Sequence, residues 1–137
     1  GDFIALLDEN VQSIIKQIRI PYHTGTSMAK YGLSTKVFLL SGYEVGFTQP
    51  GFPVDGACLS YFNGTAATDS KRIAYLNGTA TNWWLRSLQL NSALYISYVD
   101  GADGGYELNM YSNSNGVRPA IVIPSNTPFD PDTKELL

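Results

Sequence analysis

The sequence contains few of the residues that build cross-links, metal sites and nucleophilic catalytic centres. Cys58 is its one cysteine, so no internal disulfide can form, and we expect it to be a small buried apolar residue. Together with His23, the one histidine, it does not supply the four ligands of a structural zinc site. A Ser-His-Asp or Cys-His arrangement would have to use His23, which lies in a Thr- and Gly-rich segment without a motif around it. These absences predict a protein without a metal, a cofactor or enzymatic activity.

Charged residues are also scarce. They make up 15% of the chain, against about 25% in a typical domain, and the formal net charge is −3. Binding to nucleic acid or to an anionic membrane surface depends on clustered Lys and Arg, and the chain has no basic run. The longest apolar runs are four to five residues, whereas a membrane-spanning helix needs about 20. We therefore expect neither a nucleic-acid partner nor insertion into a membrane.

The size and apolar content of the chain favour one folded domain. Its 137 residues are enough to bury a core, and the 44% share of hydrophobic residues excludes a disordered chain. We predict a single domain over residues 1–124. Residues 125–137 combine prolines with charges of both signs and are predicted to be a C-terminal tail or linker.

The apolar residues near the start of the chain recur at helical spacing. This pattern predicts a helix over the first eighteen residues with a buried face, or two short helices if Asn10 caps the second one. Pro21 ends the helical pattern. The apolar positions are Phe3, Ile4, Leu7, Val11, Ile14, Ile15 and Ile18.

The remainder of the chain has the character of loops and strands. Residues 42–82 hold little regular structure, which implies that these loops are packed or functional. Asn63-Gly64 and Asn77-Gly78 each predict a tight turn. With the helix or helices first, a loop-rich middle and an antiparallel β meander last, the predicted fold class is α+β. Strands are predicted within 36–40, 83–85, 93–99, 106–112 and 117–123, where Pro119 indicates an edge or a bulge.

Two stretches combine bulky or branched apolar residues with an arginine. They are residues 82–87, with Trp83, Trp84 and Arg86, and residues 116–120, with Arg118. An arginine beside buried aromatic rings usually ties loop carbonyls or a carboxylate together, and we favour that structural role over direct ligand binding. These four residues are the predicted frame of the domain.

Residues 88–115, between the two stretches, have the composition of a binding loop. They contain four Tyr, four Asn, four Ser and three Gly without any Lys or Arg. Antibody paratopes use this mixture, because Tyr offers rigid contact area and Ser, Asn and Gly offer adaptable hydrogen bonds. The other interpretation is a solvated antiparallel hairpin with a polar outer face, which composition alone slightly favours. Asp100, Asp103 and Glu107 also offer oxygen ligands for calcium, although a glycine turn with solvated acids is the favoured interpretation.

The two arginine stretches together resemble a bacterial and phage domain family of unknown function with a "WWLRS … GVRPA" signature. Residues 33–41, 44–46 and 71–76 resemble the same family, so the likeness covers roughly residues 10–124. The resemblance implies a C-type-lectin-like fold, as in the formylglycine-generating-enzyme group and in the variable proteins of diversity-generating retroelements. Leu88 stands where the family usually has proline, and the chain begins near the family's first helix, so an opening strand is expected to lie outside it.

The resemblance also implies a function. Variable proteins diversify a stretch just before their closing strand to recognise new ligands, and residues 88–115 occupy the corresponding place. The copper-holding cysteine pair of formylglycine-generating enzymes and the Glu-Pro-Asn or Gln-Pro-Asp motifs of calcium-dependent lectins are absent.

We therefore expect a non-enzymatic domain that binds a protein or glycan receptor, on a phage tail or a bacterial cell surface. The domain would form a homo-oligomer or attach to a larger virion protein. The alternative is a structural virion or surface domain without a specific ligand. Some of the four tyrosines of this stretch must face the core, because side chains alternate along a strand. The expected ligand-binding residues are Asn91, Tyr95, Tyr98, Asp103, Tyr106, Asn109, Tyr111 and Asn113.

Overall fold

The computed structural model describes residues 3–62, 66–92, 94–133 and 135–137. In these residues the chain forms small antiparallel sheets with little helix. One α-helix, α1, spans Glu9–Ile14, and single-turn 3-10 helices span Ile4–Leu6, Ser60–Phe62 and Ser70–Arg72. The strands are β1 (Ile18–Ile20), β2 (Leu33–Thr35), β3 (Phe38–Leu39), β4 (Ala74–Leu76), β5 (Thr79–Thr81), β6 (Trp83–Leu88), β7 (Tyr95–Val99), β8 (Tyr106–Met110) and β9 (Pro119–Ala120).

The predicted α+β class, with N-terminal helices and a C-type-lectin-like fold, is wrong, because the described residues are mainly β. The long N-terminal helix is interrupted at Asp8, whose side chain accepts a hydrogen bond from the Asn10 N–H at 2.8 Å and starts the six-residue α1. The cap is thus Asp8 rather than Asn10. Ile18 already pairs with Thr35 in the β1–β2 ribbon, where its branched side chain is favoured. None of the residues of α1 is buried, so its apolar spacing does not mark a core face.

The strands predicted in the last third of the chain are confirmed at β6, β7 and β8. The predicted start of β7 at Ala93 lies outside the described residues. The turn at Asn77-Gly78 is also confirmed: both residues have positive φ, 51° and 79°, and they join β4 to β5. Asn63-Gly64 lies outside the described residues. The run at 117–123 contributes only the two residues of β9, which pairs with β3 and places Pro119 in a short two-stranded ribbon.

The three-stranded sheet β6–β7–β8 is the largest regular unit and a meander. Trp83 pairs with Val99 and Trp84 pairs with Tyr98, and the register then shifts before Leu88. Consecutive side chains of a strand point to opposite faces of the sheet, and paired residues of neighbouring strands share a face. The burial pattern follows this alternation, with Trp83, Leu85 and Ser87 buried.

The core is formed by this sheet and the loop-rich middle together. Trp83, Leu85 and Val99 come from the sheet, whereas Val45, Phe47 and Phe62 come from the segments between β3 and β4. Of the two interpretations of these loops, packed or functional, the burial of Val45, Phe47 and Phe62 supports packing for this part of the stretch.

The last residues fold back on themselves. The Leu137 N–H donates to the Pro128 carbonyl, and Leu136 lines a cleft of about 570 Å³ together with Val11 and Ile14 of α1. Within the stretch predicted to be a tail or linker, Glu135 and Leu136 therefore face the same cleft as α1. Across the described part of the chain, no helix has the length and apolar character of a membrane span.

Candidate ligand-binding surface

Arg86 ties three segments of the chain to the central sheet. Its Nη1 and Nη2 donate to the two carboxylate oxygens of Glu44 at 2.6 and 2.7 Å. Its Nε donates to the Pro21 carbonyl at 3.0 Å, and Nη1 also reaches the Leu39 carbonyl at 2.9 Å. Nη2 donates as well to the Asp55 carbonyl. Arg86 is therefore a structural clamp with every nitrogen engaged.

Glu44, the carboxylate partner of Arg86, is itself held by a reciprocal pair of hydrogen bonds with Ser41. The Ser41 N–H donates to Glu44 Oε2 and the Glu44 N–H donates to Ser41 Oγ, both at 3.0 Å. Ser-x-x-Glu is the capping-box pattern, which here closes a turn instead of a helix. The pattern is visible in the sequence as Ser41-Gly42-Tyr43-Glu44, so the signal existed although Glu44 was not among the predicted residues.

A second buried carboxyl lies beside the clamp. Asp55 is fully buried, and its Oδ2 accepts a hydrogen bond from Ser87 Oγ at 2.9 Å, while Oδ1 has no partner among the described residues. Burial raises the pKa of Asp55, and the Ser87 hydrogen bond and the Arg86 charge oppose that rise only in part. Ser87 Oγ also accepts from the Gly42 N–H at 2.8 Å. Ser87 Oγ is thus engaged as donor and as acceptor, which suits a structural role.

Arg72 is a further buried cation that the sequence patterns did not single out. It is fully buried, donates to the Val45, Ala66 and Gly104 carbonyls, and lies 4.1 Å from the centre of the Phe47 ring. Burial lowers the pKa of its guanidinium. Because its donors end on backbone carbonyls, Arg72 holds loops in place.

The two tryptophans lie on opposite faces of β6. Trp83 is 2% exposed and donates from Nε1 to the Arg72 carbonyl at 2.9 Å. Trp84 is half-buried and meets Tyr98 edge-on, with ring centres 6.0 Å apart. Only Trp83 belongs to the main core cluster.

Arg118 differs from the other two arginines of this region. Its guanidinium lies 4.9 Å from the Trp83 ring centre, and its Nη1 is shielded from solvent without a hydrogen-bond partner among the described residues. A shielded donor without a partner costs about 1–3 kcal/mol, and more when it is charged.

The four tyrosines of residues 88–115 are divided between the faces of the sheet. Tyr106 packs edge-on against Phe52 and Phe47, at ring-centre distances of 4.4 and 5.3 Å, although 39% of it is exposed. Tyr98 lies on the opposite face. Partial burial, and then the nearby Glu107 and Asp100 carboxylates, raise the pKa of its hydroxyl above 10.0.

Tyr95 and Tyr111 lie at the end of the β7–β8 ribbon that is remote from its turn. Tyr95 pairs with Met110, and the Tyr111 N–H donates to the Leu94 carbonyl at 3.2 Å, so the four residues are neighbours. Their side chains are 40–63% exposed. We call Leu94, Tyr95, Met110 and Tyr111 the open-end patch.

The polar residues that were predicted to bind a ligand also lie in different places along the β7–β8 ribbon. Asn109 Oδ1 accepts hydrogen bonds from the Met110 N–H and from Asn113 Nδ2, so these two asparagines lie beside the open-end patch. Asn91 is exposed in the turn before β7 with a φ of 62°. Asp103 lies in the turn at the other end of the ribbon and accepts from the Gly105 N–H. The structure does not bring Asp103 together with the other candidates.

The residues considered for metal or covalent chemistry do not assemble a site. In the parts of the chain that are described, no three His, Cys, Asp or Glu side chains could hold a metal ion together. The predicted glycine turn is present, with the Asp100 side chain accepting from the Ala102 N–H. Cys58 is exposed, so the expectation of a buried cysteine is wrong. His23 Nδ1 accepts from the Gly25 N–H in a local turn.

Comparison with known families places the chain. Residues 1–125 match the family described as Domain of unknown function (DUF6273). The chain belongs to that family. No curated protein and no solved structure matches it. In this DUF6273 member the matched range takes in the Arg86 clamp, Arg118 and the whole open-end patch.

Proposed function

We propose that this DUF6273 domain is a non-enzymatic binding module and that the open-end patch is its contact surface for a receptor. The observation that carries the proposal is the grouping of four exposed, large apolar residues at one end of the β7–β8 ribbon, where Tyr95 pairs with Met110 and Leu94 lies next to Tyr111. Their exposed fractions are 53% for Leu94, 40% for Tyr95, 42% for Met110 and 63% for Tyr111. Exposed apolar surface that is grouped in one part of a folded domain marks sites of interaction. Asn109 and Asn113 add polar groups at its border.

The chemistry of the patch favours a protein receptor over a glycan. Tyr and Met are enriched at the centre of protein interfaces, where Lys is depleted, and residues 88–115 contain no Lys or Arg. Tyr buries a large area with few rotatable bonds, which lowers the entropy lost on binding. Leu94 and Met110 extend the apolar surface beyond a single stacking ring.

The relation to retroelement variable proteins and the location on a phage tail or bacterial cell surface belong to the same proposal. Their support is the signature at residues 82–87 and 116–120, which brackets the stretch that contains the patch. In a diversified protein, substitutions among related isolates should concentrate in the codons of residues 88–115 and arise at adenines. An even spread of substitutions along the chain would contradict diversification.

Binding to intact cells tests the receptor proposal. The labelled domain would be titrated onto cells of the organism that carries the gene and onto its close relatives. We expect saturable binding that protease treatment of the cells abolishes and that Tyr111→Ser weakens by roughly tenfold, as for an interface anchor. Tyr31→Ser is the matched control, because Tyr31 is 70% exposed and far along the chain from the patch.

Three outcomes would overturn parts of the proposal. Binding lost after periodate but kept after protease treatment would show a glycan receptor. Equal weakening by Tyr111→Ser and Tyr31→Ser would remove the patch from the contact. The absence of binding to every cell type would favour a structural domain without a specific ligand.

A further inference from the structure

A cleft of about 400 Å³ lies between the β4–β5 hairpin and the segment before β9. This volume is within the usual range for small ligands and single side chains. Apolar side chains line its walls, and two of the lining side chains are strongly exposed, Tyr75 at 68% and Val117 at 67%. The other residues that line the cleft are Ile73, Ala74, Leu76, Thr81, Trp83, Gly116 and Arg118.

Arg118 gives this cleft a positive charge that no carboxylate of the described lining compensates. The lining contains no Asp or Glu. The ion pair among the described residues is that of Arg86 and Glu44. Arg118 Nη1, which is itself shielded from solvent, has no hydrogen-bond partner there. The guanidinium lies over the Trp83 ring, which offers no hydrogen-bond acceptor to Nη1. A planar two-oxygen anion is the acceptor that a guanidinium matches best.

The backbone of β4 offers a second element of recognition. Among the described strands, β4 pairs with β5 alone, so its other edge is unpaired. The four consecutive residues 73–76 all line the cleft, and side chains alternate along a strand, so main chain is part of the wall as well. An unpaired strand edge binds extended peptides by adding a strand.

We infer that this cleft binds the C-terminal carboxylate of an extended peptide whose last side chain is apolar. The carboxylate pairs with Arg118, the apolar side chain lies against Ile73, Leu76 and Val117, and the preceding peptide backbone pairs along β4. The positive charge of Arg118 favours a terminal carboxylate over an uncharged internal segment, and the strand edge favours a peptide over a small acid. The site is separate from the open-end patch and does not depend on the proposed receptor binding.

Fluorescence anisotropy with labelled hexapeptide pools tests the inference on the full chain. The pools end in Leu, Val, Ile or Phe, each with a free or an amidated C-terminus. We expect the amidated pools to bind at least roughly tenfold more weakly, because they lose a charge-assisted pair of hydrogen bonds. N-acetyl-leucine, as a free small acid, should compete only at much higher concentration. The Arg118 Nε–H resonance should shift on addition of the free-carboxylate pools.

A charge placed at the rim provides the variant and its control. Val117→Asp puts a carboxylate beside the bound one and should weaken the binding of the free-carboxylate pools by at least roughly fivefold. Val54→Asp is matched to it, since Val54 is 64% exposed but does not line this cleft, and should leave binding unchanged. Both substitutions are on the surface, so both variants should fold, which thermal unfolding would verify.

Each remaining outcome counts against the inference. Equal binding of the free and the amidated pools would mean that the peptide carboxylate takes no part in binding. N-acetyl-leucine competing as well as the peptides would assign the cleft to small acids instead. No binding by any pool, with an unmoved Arg118 resonance, would make the cleft a surface depression without a ligand.

Discussion

Arg86 and Glu44 form a two-point ion pair in which each terminal nitrogen of the guanidinium meets one carboxylate oxygen, at 2.6 and 2.7 Å. The two residues are 42 positions apart in the chain, and their side chains are only 9% and 11% exposed. The same guanidinium also donates hydrogen bonds to the Pro21 and Leu39 carbonyls. The interaction therefore joins the loop-rich middle of the chain to β6, which carries the core residues Trp83 and Leu85.

Removal of one partner of this pair should be strongly destabilising. Arg86→Ala leaves the Glu44 carboxylate shielded and unpaired, and such a change costs about 3–5 kcal/mol. The measurement is the free energy of unfolding in urea. Arg19→Ala is the control, because Arg19 is exposed and its Nη1 donates to the Tyr31 carbonyl only, so its loss should cost about 1 kcal/mol or less. Equal losses in the two variants would contradict the clamp.

The two tryptophans of β6 should differ sharply in their contribution to stability. Trp83→Ala empties a site in the core and should cost about 3–5 kcal/mol. Trp84 is half-buried on the other face, where it contacts Tyr98, so Trp84→Ala should cost clearly less. Thermal unfolding of both variants checks this order. A larger loss for Trp84→Ala would mean that a partner or a further segment covers that face.

Much of the sheet could be predicted from the sequence, whereas the N-terminal segment could not. The alternation along β8 and the Asn77-Gly78 turn are local signals, and local geometry decided both. The helical spacing from Phe3 to Ile18 was equally regular, but Asp8 interrupts it and Ile18 pairs with Thr35 in a ribbon. Tertiary pairing over seventeen positions overrides a local period, and one sequence does not reveal it.

The candidate site was predictable in composition but not in arrangement. Residues 88–115 contain exposed aromatic side chains, as their composition indicated. Which tyrosine packs inward depends on Phe47 and Phe52, two loop residues whose approach to Tyr106 no spacing rule predicts. The difference between Arg86 and Arg118 has the same cause. Both follow apolar residues in similar stretches, and among the described residues only Arg86 pairs with a carboxylate.

Tyr106 and Tyr111 should separate packing from binding. Tyr106→Ser removes two edge-on ring contacts and should cost about 1–3 kcal/mol of stability. Tyr111 is 63% exposed with no recorded ring contact among the described residues, so Tyr111→Ser should change stability by about 0.5 kcal/mol or less. Urea unfolding of the two variants is the measurement. If Tyr106→Ser changes the free energy of unfolding as little as Tyr111→Ser does, the Tyr106 ring does not stabilise the core.

Asp55 should make the stability of the domain fall as the pH rises. Burial raises its folded-state pKa above the ordinary 3.8, so the native state holds this proton more firmly than the unfolded chain does. The contribution is fully present below the unfolded pKa and is lost as the pH rises through the folded pKa. Asp55→Asn removes the titration and can keep the hydrogen bond with Ser87. Relative to the wild type, this variant should therefore gain stability as the pH rises from about 4 toward neutrality.

Asp130→Asn provides a control of opposite sign. The pKa of Asp130 is lowered by hydrogen bonds from the Thr133 and Asp132 N–H groups, so its contribution is present above the unfolded pKa and is lost as the pH falls. Its replacement should cost more at neutral pH than at acidic pH, the reverse of Asp55→Asn. Urea unfolding at a series of pH values compares the two. A stability difference between Asp55→Asn and wild type that stays constant with pH would mean that Asp55 titrates alike in the folded and unfolded chains, and burial would then not govern its charge.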